Sequence, residues 1–274
     1  MELKERLRQN KKNGSALLAT NFYNFETLAA VLTAAREMKS GLIVQLSESS
    51  IHYMGLEVAT SLARAAISQF GVEAWLHLDH GQNVDLVKRC IDAGFDSVMI
   101  DASEKSFAEN IKVTKQIVDY ASGYETNVEA ELGYISKLGQ EQKMIYTRPD
   151  EAKAFVEATG INALAVAVGS AHGFYKETPN LQLDLISEIN AVTDAALVLH
   201  GSSGIPDDQL QRAIKMGITK INLATEIKNI FMKSLQETLM HTDNIDLREV
   251  FPTATSAAVA LVSGKLKTIN FKHS

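Results

Sequence analysis

One cysteine, Cys90, stands among 274 residues, which excludes an internal disulfide and any thiolate-rich metal site. It falls within a helical pattern of apolar residues, where its expected role is packing. Proline is almost as scarce, with four in all, and no Pro-rich hinge, linker or low-complexity tract divides the chain. Positive charge is in deficit too. Lys plus Arg total 27 against 33 Asp plus Glu, a formal net charge of −6, so there is no basic face for nucleic acid. No apolar run reaches the roughly 18 residues needed to cross a bilayer. The first residues, Met-Glu-Leu-Lys-Glu-Arg-Leu, are charged and helical and lack the apolar core of a signal peptide. These absences leave a cytoplasmic enzyme, with no nucleic-acid or membrane partner, as the expectation.

What the chain does have is regular alternation. Apolar residues make up 46% and charged residues 22%, enough to build a large core. Strand-like runs recur at 16–20, 42–46, 74–79, 97–101, 127–132, 163–168, 196–200 and 218–223. Helical periodicity fills the gaps: Leu28, Val31, Leu32 and Ala35 share one face of 25–38, as do Val84, Val87, Cys90 and Ile91 in 84–93. Eight strands alternating with helices predict a closed (β/α)8 TIM barrel, a single domain over 1–274. An open doubly wound sheet is the rival.

Barrels of this kind gather their active sites at the C-terminal ends of the strands. The residues there are Asn21, Ser47, Asp79 with His80, Asp101, Glu131, His172, His200, and Asn222 with Thr225. All are polar, in runs otherwise built of Ala, Val, Leu and Ile. Of seven histidines, His80, His172 and His200 share one setting, the end of an apolar run with glycine next. Neutral imidazole is the commonest transition-metal ligand, and three ligands with one open position make a catalytic zinc site. Glycine after each ligand leaves room for substrate or phosphate to approach. His77 is the substitute ligand, because it shares strand parity with Asp79, whereas His80 points elsewhere unless its strand has ended. Its alternative role is a hydrogen-bonded histidine of the barrel interior. His52, His241 and His273 read as surface residues.

Asp79, beside the first ligand, has three candidate roles: ligand, orienting partner, or proton carrier for a metal-held substrate; capping the next helix is the plain alternative. Asp101 and Glu131 suit a second metal position or the orientation of the histidines. Two loops suit phosphate. Gly201-Ser202-Ser203-Gly204 precedes a helix beginning near Pro206-Asp207, and Asn222-Leu223-Ala224-Thr225 opens another. The segments after strands seven and eight are frequent phosphate sites in such barrels.

His-Leu-Asp-His-Gly, Ser-Val-Met-Ile-Asp-Ala-Ser, Val-Glu-Ala-Glu-Leu-Gly, Ala-Val-Gly-Ser-Ala-His-Gly, Leu-His-Gly-Ser-Ser-Gly-Ile and Lys-Ile-Asn-Leu-Ala-Thr occur in this order. Together they resemble the signatures of class II, metal-dependent ketose-bisphosphate aldolases, a group that includes fructose- and tagatose-bisphosphate aldolases. The likeness runs from Asn21 to Thr225. It implies Zn2+ on His80, His172 and His200, with Asp79 as proton donor at the aldol hydroxyl. Asp101 and Glu131 would ligate an alternative metal position, and Ser47 would contact the substrate. Gly173, Gly201, Ser203, Asn222 and Thr225 would hold dihydroxyacetone phosphate, with a monovalent cation near Gly173 and Gly201. A phosphorylated sugar substrate and a homodimer or homotetramer are implied as well.

The chain departs from the family after Glu-Leu-Gly. Members carry a Gly-Gly pair and then an acidic pair on a loop whose glutamate moves the proton of dihydroxyacetone phosphate. Here the stretch reads Tyr134-Ile135-Ser136-Lys137-Leu138-Gly139-Gln140-Glu141-Gln142-Lys143. Glu141 is the candidate base; Lys137 and Lys143 would tend to lower its pKa and weaken it. Ser202 replaces a second glycine in the phosphate loop. Other readings are an aldolase for a different phosphorylated sugar, a Schiff-base aldolase using Lys220, a barrel metallohydrolase, and a sugar-phosphate-binding protein with reduced turnover.

Overall fold

The computed structural model describes residues 1–135, 145–175 and 179–271. Eight parallel strands close into a barrel in sequence order. They are β1 (Leu17–Asn21), β2 (Leu42–Ser47), β3 (Ala74–Gly81), β4 (Ser97–Ile100), β5 (Asn127–Leu132), β6 (Ala163–Val166), β7 (Ala196–Leu199) and β8 (Ile218–Leu223). β8 returns to β1, with Leu17 opposite Lys220 and Ala19 opposite Asn222. That closure rules out the open sheet. The helices are α1 (Leu3–Asn13), α2 (Phe25–Met38), α3 (Glu48–Met54), α4 (Leu56–Phe70), α5 (Val84–Asp92), α6 (Phe107–Ala121), α7 (Pro149–Thr159), α8 (Leu183–Val192), α9 (Asp207–Met216), α10 (Thr225–Leu239) and α11 (Leu247–Ile269). Among the described residues, no helix is long and apolar enough to cross a membrane.

Strand parity divides the core in two. Leu18, Val44, Leu76, Val98, Leu164 and Leu197 belong to the large cluster shared with the surrounding helices. Leu17, Ala19, Ile43, Trp75, Met99, Ala165 and Val198 form a second cluster with Leu3 and Leu7 of α1. α1 thus plugs the N-terminal end of the barrel, fastened where Trp75 Nε1 donates to the Met1 carbonyl at 3.0 Å. The same inward parity, followed toward the other end, turns polar: Gln45, His77, Asp79, Glu129, Glu131, Lys220 and Asn222 are all buried. Only that end is left open for chemistry.

Candidate active site

The strand ends surround a cleft of ≈ 500 Å³ that Asn21, Ser47, Asp79, His80, Asp101, Glu131, His172, Gly173 and Thr225 all line. A smaller recess beneath it reaches His200, Gly201, Ser203 and Asn222. Every site residue expected from the sequence lies at this mouth, apart from Glu141, which falls outside the described residues. Cys90 lies on the buried face of α5, as its pattern required.

His80 reaches the mouth through an irregularity. β3 takes three steps from Leu78 to Gly81 while β4 takes two from Val98 to Ile100, so β3 carries a bulge. Within it His80 adopts φ 50°, the left-handed region. That conformation costs a side-chain-bearing residue roughly 1–3 kcal/mol and is kept where the surroundings enforce it. His80 and Asp79 therefore both serve the mouth, although simple alternation would separate them. His77 stays within the barrel, its Nδ1 2.8 Å from Ser97 Oγ and its Nε2 3.1 Å from Lys220 Nζ. It is not the substitute ligand.

Two of the glycines after the histidines are also required by packing. A Cβ on Gly81 would lie 2.6 Å from the Met99 carbonyl oxygen, and one on Gly201 would overlap the Ala171 backbone. Neighbouring strands and loops exclude side chains at these two positions, while Gly201 and Gly173 also line the recess.

His80, His172 and His200 each present a ring nitrogen, all within 4.8 Å of one another. The rings stand edge to face, with centroids 4.6 Å apart for His80–His200 and 4.9 Å for His80–His172. Partners on the far side set the tautomers. Asp101 Oδ2 lies 2.9 Å from His80 Nδ1, and Glu129 Oε1 lies 3.0 Å from His200 Nε2. A carboxylate only accepts, so both of those nitrogens carry hydrogen; Asn222 Nδ2, itself a donor 3.2 Å from His200 Nε2, gives its hydrogen to Asp79 instead. The lone pairs of His80 Nε2 and His200 Nδ1 are then turned on each other at 2.9 Å. Two lone pairs at that distance call for a cation between them. Without a metal, a proton on His80 does the work: burial opposes it, but Asp79, Asp101 and Glu131 outweigh burial and push His80 up to about 10. Burial, with the charge of His80 close by, holds His200 well below the usual imidazole range.

A second group, His80, Asp101 and Glu131, also brings ligand atoms within 4.8 Å. Glu131 Oε2 is buried with no hydrogen-bond partner among the described residues. Burial first, then the Asp101 charge, push the Glu131 carboxyl up to about 8. The donors fit a divalent ion on both counts, three imidazole nitrogens and an orphaned carboxylate oxygen.

Asp79 accepts from Asn21 Nδ2 on one oxygen (3.1 Å) and from Asn222 Nδ2 on the other (3.2 Å). Burial would raise its pKa, yet the charges of His80, His200 and Lys220, with the Asn21 hydrogen bond, hold it below the ordinary aspartate value. It is an aimed, ionised carboxylate, not a helix cap: the cap of α5 is Asn83.

The recess below is lined by Gly173, Gly201, Ser203, Asn222, Ala224 and Thr225 and has ≈ 30 Å³ of free space. That suits about one water, so seating a phosphate requires these loops to part. Asp207 and Asp208 occupy the first turn of α9, so the donors for an anion here are those of the loop, the backbone N–H groups and the Ser203 hydroxyl, rather than that helix end. Ser202 does not face the recess; its hydroxyl donates to the Asn222 carbonyl at 2.5 Å and ties the two loops together. Tyr175 binds the third, accepting from Ala171 N (2.6 Å) and donating to the Gly201 carbonyl (2.8 Å).

The model of class-II fructose-bisphosphate aldolases matches residues 1–274. The chain belongs to that family. This aldolase is 29% identical to the YdjI aldolase of Escherichia coli K12, with a TM-score of 0.87 over 98% of this chain and 96% of that one. A Coccidioides immitis protein taken to be a fructose-1,6-bisphosphate aldolase is also 29% identical, with a TM-score of 0.90 over 98% and 96% of the two chains. Campylobacter jejuni fructose-bisphosphate aldolase, 21% identical with a TM-score of 0.81 over 98% and 94%, shares the fold. Family membership makes the chain a lyase of the metal-dependent class, whose substrates are phosphorylated sugars.

The sequence placed Asn21 and Asn222 at the mouth of this aldolase site without showing their hold on Asp79, gave no sign of Glu129's place behind His200, and passed over Lys228. Asn21 and Asn222 clamp Asp79, Glu129 backs His200, and Lys228 lines the mouth from α10 with its ammonium 5.4 Å from the Tyr23 ring. Parity marks Glu129, two residues before Glu131. Lys228 could have been found one helical turn after Thr225.

Proposed function

We propose that residues 1–274 act as one catalytic domain for zinc-dependent, reversible cleavage of a ketose 1,6-bisphosphate, of fructose or tagatose, to dihydroxyacetone phosphate and glyceraldehyde 3-phosphate. The observation that carries this is the opposed pair of imidazole lone pairs, completed by His172, with the Asp79 carboxylate alongside. His80, His172 and His200 would hold the zinc, and Asp101 with Glu131 an alternative position. When bound, zinc would supply Lewis-acid polarisation of the ketose carbonyl. Asp79 takes the proton of the hydroxyl on the far side of the breaking bond and returns it in the condensation direction. Asn21 and Asn222 keep both its oxygens aimed.

Gly173, Gly201, Ser203, Asn222 and Thr225 hold the phosphate of the dihydroxyacetone half. Ser47 and Lys228 also line the cleft and would meet the other end of the substrate. Lys228 forms no ion pair among the described residues, so its charge is free for an anionic group. Gly201 would share a monovalent cation with Gly173, although its carbonyl already receives the Tyr175 hydroxyl. Lys220 offers no Schiff-base route: it is buried in an ion pair with Glu129 (2.7 Å) and lines neither cavity. The deciding experiment is metal analysis of chelated and zinc-restored protein, with coupled cleavage of both bisphosphates. Undiminished cleavage after complete metal removal would overturn the assignment.

Two further expectations arise here. Lys228→Ala should raise KM for a ketose bisphosphate roughly 10- to 100-fold, the value of one charge-assisted contact. Proton exchange at dihydroxyacetone phosphate, which has no second phosphate, should be untouched in this variant; equal loss in both assays would place Lys228 elsewhere. Glu141 is the only carboxylate between Gly133 and Arg148. Glu141→Gln should therefore abolish that exchange, read by deuterium wash-in. Unchanged exchange would move the base to Glu131, since Glu129 is committed to His200 and Lys220.

A further inference from the structure

Directly beneath the three histidines lie Glu129, Lys220 and His77, with side chains 0–1% exposed. None lines the cleft or its recess, and the proposed chemistry uses none of them. Buried charges are costly unless paired and hydrogen-bonded. Packing does not demand them here, since the barrel fills neighbouring positions with apolar groups: Glu129 pairs in register with Ala163, and Lys220 with Val198.

Lys220 is a donor only, and that orders the whole network. Its Nζ donates to Glu129 Oε2 at 2.7 Å and to His77 Nε2 at 3.1 Å. His77 must then carry its hydrogen on Nδ1 and donate to Ser97 Oγ at 2.8 Å, while Asn127 Nδ2 also donates to Ser97 at 2.9 Å. With one Glu129 oxygen anchored by Lys220, the other lies 3.0 Å from His200 Nε2. The brace runs through β3, β4, β5 and β8 to the residue just past β7, and it ends on a ring whose opposite nitrogen faces the mouth.

We propose that the Lys220–Glu129 pair is a positioning device: it holds His200 as the Nε2–H tautomer, turns Nδ1 to the divalent ion, and so sets the tightness and geometry of metal binding. The inference rests on the zinc reading of the site. Orienting partners of metal-bound histidines typically contribute 10- to 100-fold in metal affinity. Neither residue touches substrate, so each acts through His200.

The test uses the zinc-loaded protein and the double variant Lys220→Met/Glu129→Leu, which removes both charges together and leaves neither unpaired. Chelator competition should show zinc bound roughly 10- to 100-fold more weakly, and the visible spectrum of the cobalt(II) form should change. Glu129→Gln, which keeps an oxygen for the Nε2 hydrogen, should recover most of the affinity. A folded double variant with wild-type zinc affinity and an unchanged cobalt spectrum would reduce the pair to a structural ion pair and overturn the proposal. Long-range 1H–15N spectra of zinc-loaded wild type decide the matter even if the variant does not fold. Hydrogen on His200 Nε2 is expected, and hydrogen on Nδ1 overturns the proposal. Wild type that takes up no zinc removes the functional reading itself, whereas zinc uptake equal in wild type and double variant removes this inference alone.

Discussion

His200→Ala will yield a folded protein that holds no stoichiometric zinc and cleaves neither bisphosphate at a measurable rate. The side chain is fully buried and its two ring nitrogens serve opposite ends, one on Glu129 and one facing His80 Nε2. Removing it leaves two of the three nitrogens, and a divalent ion so held is open to water. Folding survives because Glu129 keeps Lys220 as its partner, so the loss is that of one buried hydrogen-bonded side chain, of order 1–3 kcal/mol. Zinc content by mass spectrometry, a coupled cleavage assay and a thermal melt together check this. Full activity in the variant would sink the zinc mechanism.

Asp79→Asn separates chemistry from metal binding. Asp79 belongs to neither group of prospective ligands, and Asn21 and Asn222 hold it in place. The amide keeps the shape but cannot carry a proton between substrate atoms. Turnover should therefore fall roughly 10²–10⁴-fold, the usual worth of a positioned acid–base group. Zinc content and binding of dihydroxyacetone phosphate should remain. A variant that instead lost its zinc would make Asp79 a support of the metal site and leave the proton step without a carrier.

Much of the fold was legible because strand and helix patterns are local. The runs 127–132 and 218–223 match β5 and β8, and the helical face of 25–38 matches α2. The mouth residues were legible for the same reason: a barrel brings strand ends together, so polar residues at those ends must converge. Glu141 could be named only by elimination within its loop. Within the Gly-Ser loop the sequence did not show that the Ser202 hydroxyl turns to the Asn222 carbonyl, whereas Gly201 and Ser203 line the recess.

By itself the sequence determined the alternation of strands and helices, the polar crown of the barrel, and three histidines each closing an apolar run, although β6 stops at Val166 and leaves His172 in the loop beyond it. Tertiary structure alone decided which nitrogens face which partners. Strand parity alone would have put His77 in the place the sequence reading gave to His80, and it is the β3 bulge with the left-handed His80 backbone that brings His80 to the mouth. A bulge is a relation between two strands and leaves no mark in the periodicity of one. Likewise Lys220 lies 91 positions from Glu129 and 143 from His77, and Glu129 lies 71 from His200. Hydrogen-bond direction across such separations follows from barrel register, which exists only once β8 has closed on β1.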